Sequence, residues 1–137
     1  MNEPQLCVGA IAVDADRLLL IRRGHGPADG RWSVPGGRVE GGELLAEAVV
    51  RELLEETAVE GVCVELVGVA ERFSVEGHYV ILDFHVEVLD GTAAPVAGDD
   101  AREARWVPLT DVAELDLVDG LAEFLHEHGV IPTIALD

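Results

Sequence analysis

Apolar positions set the outline of this chain. Leu6 to Val13 (LCVGAIAV) runs apolar without alternation, the pattern of a buried strand. Asp14-Ala15-Asp16 punctuates it, and Arg17 to Arg23 (RLLLIRR) reads as its hairpin partner. Gly24 to Gly30 (GHGPADG) has loop composition. Arg31 to Val34 is a short strand, ended by Pro35-Gly36-Gly37. Glu43 to Thr57 predicts the clearest helix, rich in Leu, Ala, Glu and Arg with no internal Gly or Pro. Its apolar stripe is Ala46, Val49, Val50, Leu53 and Leu54. Val62 to Phe73 and His78 to Val88 read as paired strands around a 74–77 turn. Leu89 to Ala101 is a polar loop, and Ala104 to Val107 a last short strand. Thr110 and Asp111 suit the cap of a short helical turn, and Leu117 to His128 predicts the closing helix. Strands and helices mix without strict alternation, which predicts a mixed sheet flanked by helices.

Composition adds bounds. The 137 residues, 49% of them apolar, suit one globular domain over 1–137. All nine basic residues are Arg, against 27 acids, for a formal net charge of −18. Such a surface repels nucleic acid and anionic membranes, but a bound divalent metal reverses the sign locally for a small phosphorylated ligand. Cys7 and Cys63 sit in apolar stretches without paired spacing, so two buried free thiols are expected. The start, MNEPQL, lacks the basic-then-apolar pattern of a secretory leader, and no apolar run spans a bilayer. A cytoplasmic location is the expectation.

The candidate chemistry lies on the predicted helix. Glu52, Glu55 and Glu56 stand at i, i+3 and i+4, on one face. A solvated acidic face is the simpler reading, but the energetics disfavour it. Like charges at this spacing cost about 0.2–0.5 kcal/mol per pair. Near a helix C-terminus each costs a further ~0.3–1 kcal/mol. Three hard oxygen donors on one face suit Mg²⁺ or Mn²⁺. Pro35-Gly36-Gly37 lets the backbone turn tightly, so that a main-chain carbonyl approaches an ion.

Taken together, Gly37 to Val59 (GRVEGGELLAEAVVRELLEETAV) resembles the Nudix box, G-x5-E-x7-R-E-U-x-E-E-x-G-U, with U a bulky aliphatic residue. Gly37 opens it, Glu43 follows, then Arg51-Glu52-Leu53, Glu55-Glu56 and Val59. Ala58 is the one departure, standing where the box has Gly. Either Ala58 leaves the helix left-handed at a cost of about 1 kcal/mol, or the helix runs on toward Gly61.

The resemblance implies an α/β/α sandwich and hydrolysis of a nucleoside diphosphate linked to another group, with Mg²⁺ or Mn²⁺ as cofactor. It implies Glu52, Glu55 and Glu56 as metal ligands, with the Gly37 carbonyl as a backbone ligand. Arg51 and Glu43 become residues that tie the loop to the helix; a favourable charge in the first helical turn also suits Glu43. A later loop acid completes many such sites. Here Asp99, Asp100 and Glu103 are available, and Asp100 is favoured. Metal ions neutralise a diphosphate and acidify a bound water, and a remaining carboxylate takes its proton. Glu55 and Asp100 are both candidates for that base.

Overall similarity is greatest to the ADP-ribose pyrophosphatase-like branch, which implies AMP and ribose 5-phosphate as products. A nucleoside triphosphate pyrophosphohydrolase acting on 8-oxo-dGTP or dNTPs is the alternative, and a non-catalytic nucleotide-sensing module is a third reading. Arg22, Arg23, Arg38 and Arg72 are candidates for phosphate contacts. Trp32, Phe73, Tyr79 and Phe84 are candidates for base stacking, with core packing the competing role. His25, His78 and His85 lack metal-ligand spacing and are expected to be ordinary strand or loop residues. The apolar strands leave room for a homodimer.

Overall fold

The structure, a computed structural model, describes residues 3–26 and 28–132. Met1, Asn2, Pro27 and 133–137 lie outside the description, and with them part of the expected start and of the 24–30 loop. The elements run β1 (Gln5–Asp14), β2 (Arg17–Arg23), β3 (Trp32–Ser33), β4 (Gly36–Arg38), α1 (Leu45–Thr57), β5 (Gly61–Ser74), β6 (Gly77–Val88), β7 (Ala101–Pro108) and α2 (Leu121–Glu127), with a 3₁₀ turn (Val112–Glu114) before α2. The sheet order is β3-β2-β1-β6-β5, with β4 also on β1 and β7 on β2. It is mixed, and a helix covers each face, as expected.

Strand β1 is the hinge of this sheet, and its pairing differs from a simple hairpin. It meets β2 antiparallel only at Val13↔Leu18 and Asp14↔Arg17. Its long partner is β6, parallel from Gln5↔Tyr79 to Ala12↔Val86. Being central, β1 is buried on both faces, which is why it reads as an unbroken apolar run. Val8, Ala10 and Ala12 face the α1 cluster, with Ala48, Val49 and Leu53. Ile11 faces the α2 cluster, with Leu121, Phe124 and Leu125.

Several boundaries differ from the sequence reading. Gly36–Arg38 is a short antiparallel strand on β1 (Val8↔Gly37), not a tight turn. Glycine is needed at position 36 for close approach: a Cβ there would lie 2.2 Å from the Val8 carbonyl oxygen. Helix α1 starts at Leu45 with Leu44 as its cap, so Glu43 stands before the helix and not in its first turn. The Leu44 N–H donates to Glu47 Oε1 (2.9 Å) instead. The buried stripe is Ala48, Val49, Leu53 and Thr57, whereas Ala46 and Leu54 are exposed. Leu53 is fully buried, which contributes on the order of 2 kcal/mol. Ala58 takes the left-handed conformation at φ 61°, ψ 15°, ending the helix on schedule. No side-chain cap bond comes from Asp111 to the 3₁₀ turn. Helix α2 is shorter than predicted: Leu117 bridges to Trp32 in parallel, and Gly120, at φ 81°, forms the cap. Cys7 is buried and Cys63 half-buried, both free.

Candidate active site

Two chain segments meet over the last two turns of α1. The loop after β6 is hydrogen-bonded to the helix end, Val96 N–H to the Thr57 carbonyl (2.8 Å) and Gly98 N–H to the Glu56 carbonyl (2.9 Å). A Cβ at Gly98 would lie 2.1 Å from the Glu55 carbonyl oxygen, so only glycine allows this docking. It brings Asp99 and Asp100 to a cleft also lined by Glu52, Glu55, Glu56 and Gly98. On the other side, β4 lies against the helix. A Cβ at Gly37 would sit 2.6 Å from the Glu52 carboxylate, so the missing side chain is what lets that carboxylate reach the strand. Gly36 N–H points at Glu56 Oε2 (3.4 Å).

Arg51 organises the acids. Its Nε donates to Glu43 Oε2 (2.6 Å) and its Nη2 to Glu43 Oε1 (2.9 Å), a two-point pair that ties the loop before α1 to the helix. Nη2 also donates to the Arg38 carbonyl (3.1 Å). Nη1 donates to Glu52 Oε1 (2.8 Å) and Glu55 Oε2 (3.2 Å). The three helix glutamates are therefore divided between two partners: Arg51 for Glu52 and Glu55, the Gly36 amide for Glu56. Among the described residues no three His, Cys, Asp or Glu side chains gather as a ready-made metal cage.

The electrostatics follow from burial and neighbours. Burial pushes the Glu56 carboxyl up to about 8, and the charge of Glu52 adds to this; the Gly36 amide and Arg23 pull the other way. Burial also raises Glu52, with Arg51 opposing. The Arg51 hydrogen bond holds Glu43 down at about 2, and Glu43 in turn raises Arg51.

The other predicted residues are distributed more widely. Arg23 is exposed and its charge is felt at Glu56, so it borders the cleft. Arg38 is exposed next to Gly37. Arg22 is turned away to the Gly30 carbonyl (3.0 Å). Arg72 and Tyr79 are cross-strand neighbours on β5 and β6, outside the acidic cleft, and Arg72 donates to the Asp119 carbonyl. Trp32 is part of the α2-side core and Phe84 packs on the α1-side core, which argues for packing over stacking at both. Phe73 is exposed and stacks on His78. Glu103 pairs with Arg105 (2.9 Å), outside the cleft. His25, expected as an ordinary loop residue, lies in the 24–30 loop beside Asp100. Its Nε2 lies 3.0 Å from Asp100 Oδ1, and Gly24 N–H donates to the Asp100 carbonyl (3.1 Å). No spacing signal marks a contact across 75 positions.

A mixed sheet between two helices, with a loop and helix presenting glutamates to a cleft at its rim, defines the class. The NUDIX domain family model matches residues 3–128, and the chain belongs to that family. An ADP-ribose pyrophosphatase of Methanocaldococcus jannaschii is 37% identical over 114 residues, 82% of this chain; the chain spans 66% of that protein's length. An oxidized purine nucleoside triphosphate hydrolase of Danio rerio is 28% identical over 112 residues, 82% of this chain and 71% of that protein. Among solved structures, a MutT NUDIX hydrolase from Burkholderia pseudomallei superposes with a TM-score of 0.79 at 26% identity, covering 91% of this chain and 98% of that one.

Proposed function

We propose that this chain is a metal-dependent pyrophosphohydrolase that cleaves the diphosphate of a nucleoside diphosphate derivative, ADP-ribose or a close relative, to AMP and a sugar phosphate. The observation that carries this reading is the gathering of Glu52, Glu55, Glu56, Asp99 and Asp100 around one cleft bordered by Arg23. The similarity to an ADP-ribose pyrophosphatase supports the choice of substrate.

The donor set fits Mg²⁺ or Mn²⁺. It consists of hard carboxylate oxygens, one of them on a glutamate whose ionisation burial suppresses and a cation would restore. Glu52, Glu55 and Glu56 would hold the ion, with the Gly37 carbonyl as a further donor. The ion supplies charge neutralisation at the diphosphate and a more acidic water. The chain's own residues do the rest. Arg51, anchored on Glu43, keeps β4 and α1 in one frame. Arg23 and Arg38 offer guanidinium groups to phosphate oxygens. Glu55 and Asp100, both exposed, are the carboxylates we assign to take a proton from water, and His25 Nε2 lies 3.0 Å from Asp100 Oδ1.

The likeness to an oxidized purine nucleoside triphosphate hydrolase favours a second reading, release of pyrophosphate from a triphosphate. Chromatography of Mg²⁺ reactions with ADP-ribose, NADH, dGTP, 8-oxo-dGTP and diadenosine polyphosphates separates the two, with Glu55→Gln as the blank. AMP from ADP-ribose supports the first. Monophosphate plus pyrophosphate supports the second. No turnover of any of them, with metal still bound, would leave a sensing module.

A further inference from the structure

Helix α1 covers only part of its side of the sheet. Cross-strand partners share a face, so the pairing of β1, β6 and β5 sorts their side chains. Val8 and Ala10 face α1. Leu82 pairs with Val8 and Val69, and Phe84 with Ala10 and Leu66, which puts all four on the α1 side. One row further on, Val80 pairs with Leu6 and Glu71 on that same side. The opposite side of these strands is sealed: Val67 and Ala70 pack on the α2 cluster, and Asp83 is 4% exposed.

The helix closes the sheet at Val86, which is fully buried in one cluster with Leu53. Beyond that row Leu66, Val69 and Leu6 are 49%, 53% and 44% exposed, and Val80, Leu82 and Phe84 are half-buried. Length is the reason. The 13 residues of α1 span about 20 Å, whereas the 12 residues of β6 span about 40 Å. Leu54 extends the patch from the helix. Glu52 faces β4, so the helical repeat turns Leu54 to the flank away from β4 and towards β5, where it is 47% exposed. Glu71, with His78 Nε2 at 2.9 Å from its Oε2, marks the polar rim.

Strand β5 is also the edge of the sheet, but its ladder to β6 shifts register between Cys63 and Glu65 and again between Leu66 and Gly68. Such bulges disfavour strand addition along an edge. The open face, and not the edge, is therefore the surface to be filled. Charge narrows the occupant. A net charge of −18 repels an anionic membrane, and it would draw a basic protein to the acidic surface and not to an uncharged patch. A second copy of the chain suits the patch, because an apolar surface is complementary to itself across a twofold axis. Its size fits as well. The patch exposes roughly 400 Å² of apolar surface, enough to mark a binding site on a single chain. A standard interface takes about 800 Å² from each partner, a little over half of it apolar.

We propose that two copies of this chain pack against each other through the open α1-side face of β1, β6 and β5, with Leu66, Val69 and Leu6 at its centre and Leu54 of each α1 alongside.

Sedimentation velocity of wild type, from about 1 to 100 µM, tests this directly. The expected result is a species of twice the chain mass at the upper end. Leu66→Asp and Val69→Asp should each raise the dimer dissociation constant by about thirtyfold or more, with native circular dichroism. Leu89→Asp, at a residue 65% exposed but outside the patch, should leave it unchanged. Where an Asp variant does not fold, Leu66→Thr and Val69→Thr are read in its place. Melting gives a second readout: the wild-type Tm should rise with protein concentration, and that of the patch variants should not. Wild type that stays monomeric over the whole range overturns the proposal, and binding of that monomer to neutral phosphatidylcholine vesicles would give the face to a lipid surface instead. A dimer unmoved by the patch variants, or weakened equally by Leu89→Asp, overturns it too.

Discussion

Arg51 reaches back eight residues to Glu43 and grips both carboxylate oxygens, at 2.6 and 2.9 Å. Both side chains are largely buried, at 23% and 14% exposure. The pair fastens the strand carrying Gly37 to the helix carrying Glu52, Glu55 and Glu56. Glu43→Gln keeps the shape and removes the charge that steadies Arg51. Freed from it, Arg51 can swing further over Glu52 and Glu55. The expected outcome is a fall in kcat/KM of about tenfold or more, since a shift near 1 Å at a reacting centre is enough for that. Circular dichroism should stay native. Kinetics at wild-type level in Glu43→Gln would remove the fastening role.

Glu56 and Glu55 differ in burial, which separates their expected phenotypes. Glu56 is pushed up to about 8 by burial, so its neutral isostere suits the metal-free site. Glu56→Gln should melt at or above the wild-type temperature without metal, yet lose at least about a hundredfold in turnover, the upper end of losses at groups one step further from a metal. Glu55 is 57% exposed, so Glu55→Gln should leave melting unchanged while abolishing turnover. Calorimetry with Mn²⁺ is the independent check: both variants should bind it more weakly. Retained activity in either would remove that residue from the metal set.

What the sequence disclosed, and what it withheld, divide along a physical line. The glutamate face of α1 was legible because a helix repeats every 3.6 residues, so local spacing alone puts three side chains together. The chain's own pattern also marked β1 as buried. It could not say by what, because hydrophobicity encodes a face and not a partner. The partner is β6, more than seventy residues away and parallel. The same holds at the site. Asp100 was legible as a loop acid, but its contact with His25 depends on the 24–30 loop lying beside the 96–101 loop. Leu54 was misassigned to the core because a stripe read on a wheel ignores where β5 and β1 leave the helix uncovered. Trp32 was left between stacking and packing, because a lone aromatic before a glycine-rich stretch does not name its partner, here Leu117, which bridges to it from far along the chain.

Asp83 and Glu56 give the metal-free protein a defined pH response. Asp83 has its carboxyl raised from 3.8 to about 7, chiefly by burial, with Arg72 the opposing charge; Glu56 is raised from 4.5 to about 8. Between the ordinary and raised values the folded chain holds protons that the unfolded chain has released. Stability from each group is therefore fully present below about pH 4 and is lost as pH rises through 7 to 8. Urea unfolding of wild type and of Asp83→Asn, each from pH 4 to 9 in chelator, should show the gap between them widening in favour of the variant up to about pH 7, then levelling. A constant gap would mean that Asp83 ionises normally.

Ala58 offers a test of the fold free of the chemistry. It stands at φ 61°, ψ 15°, where a Cβ crowds the following carbonyl, and it still closes α1 by donating its N–H to the Leu54 carbonyl (2.9 Å). Left-handed geometry costs a residue with a side chain about 1–2 kcal/mol, and glycine pays none of it. Glycine gives back part of that through its freer unfolded chain. Ala58→Gly should therefore stabilise by about 1 kcal/mol net, a rise in Tm of about 4 °C for a chain of this size. The exit of the helix sets where Val59 enters the core, fully buried against Leu53 and Val86, and the same geometry is kept in the variant. Turnover and metal affinity should thus be unchanged. A drop in Tm would show that the helix exit is not held at this left-handed geometry, and a change in metal affinity would show that the end of α1 is coupled to its glutamates more tightly than through the backbone bonds at Thr57 and Glu56.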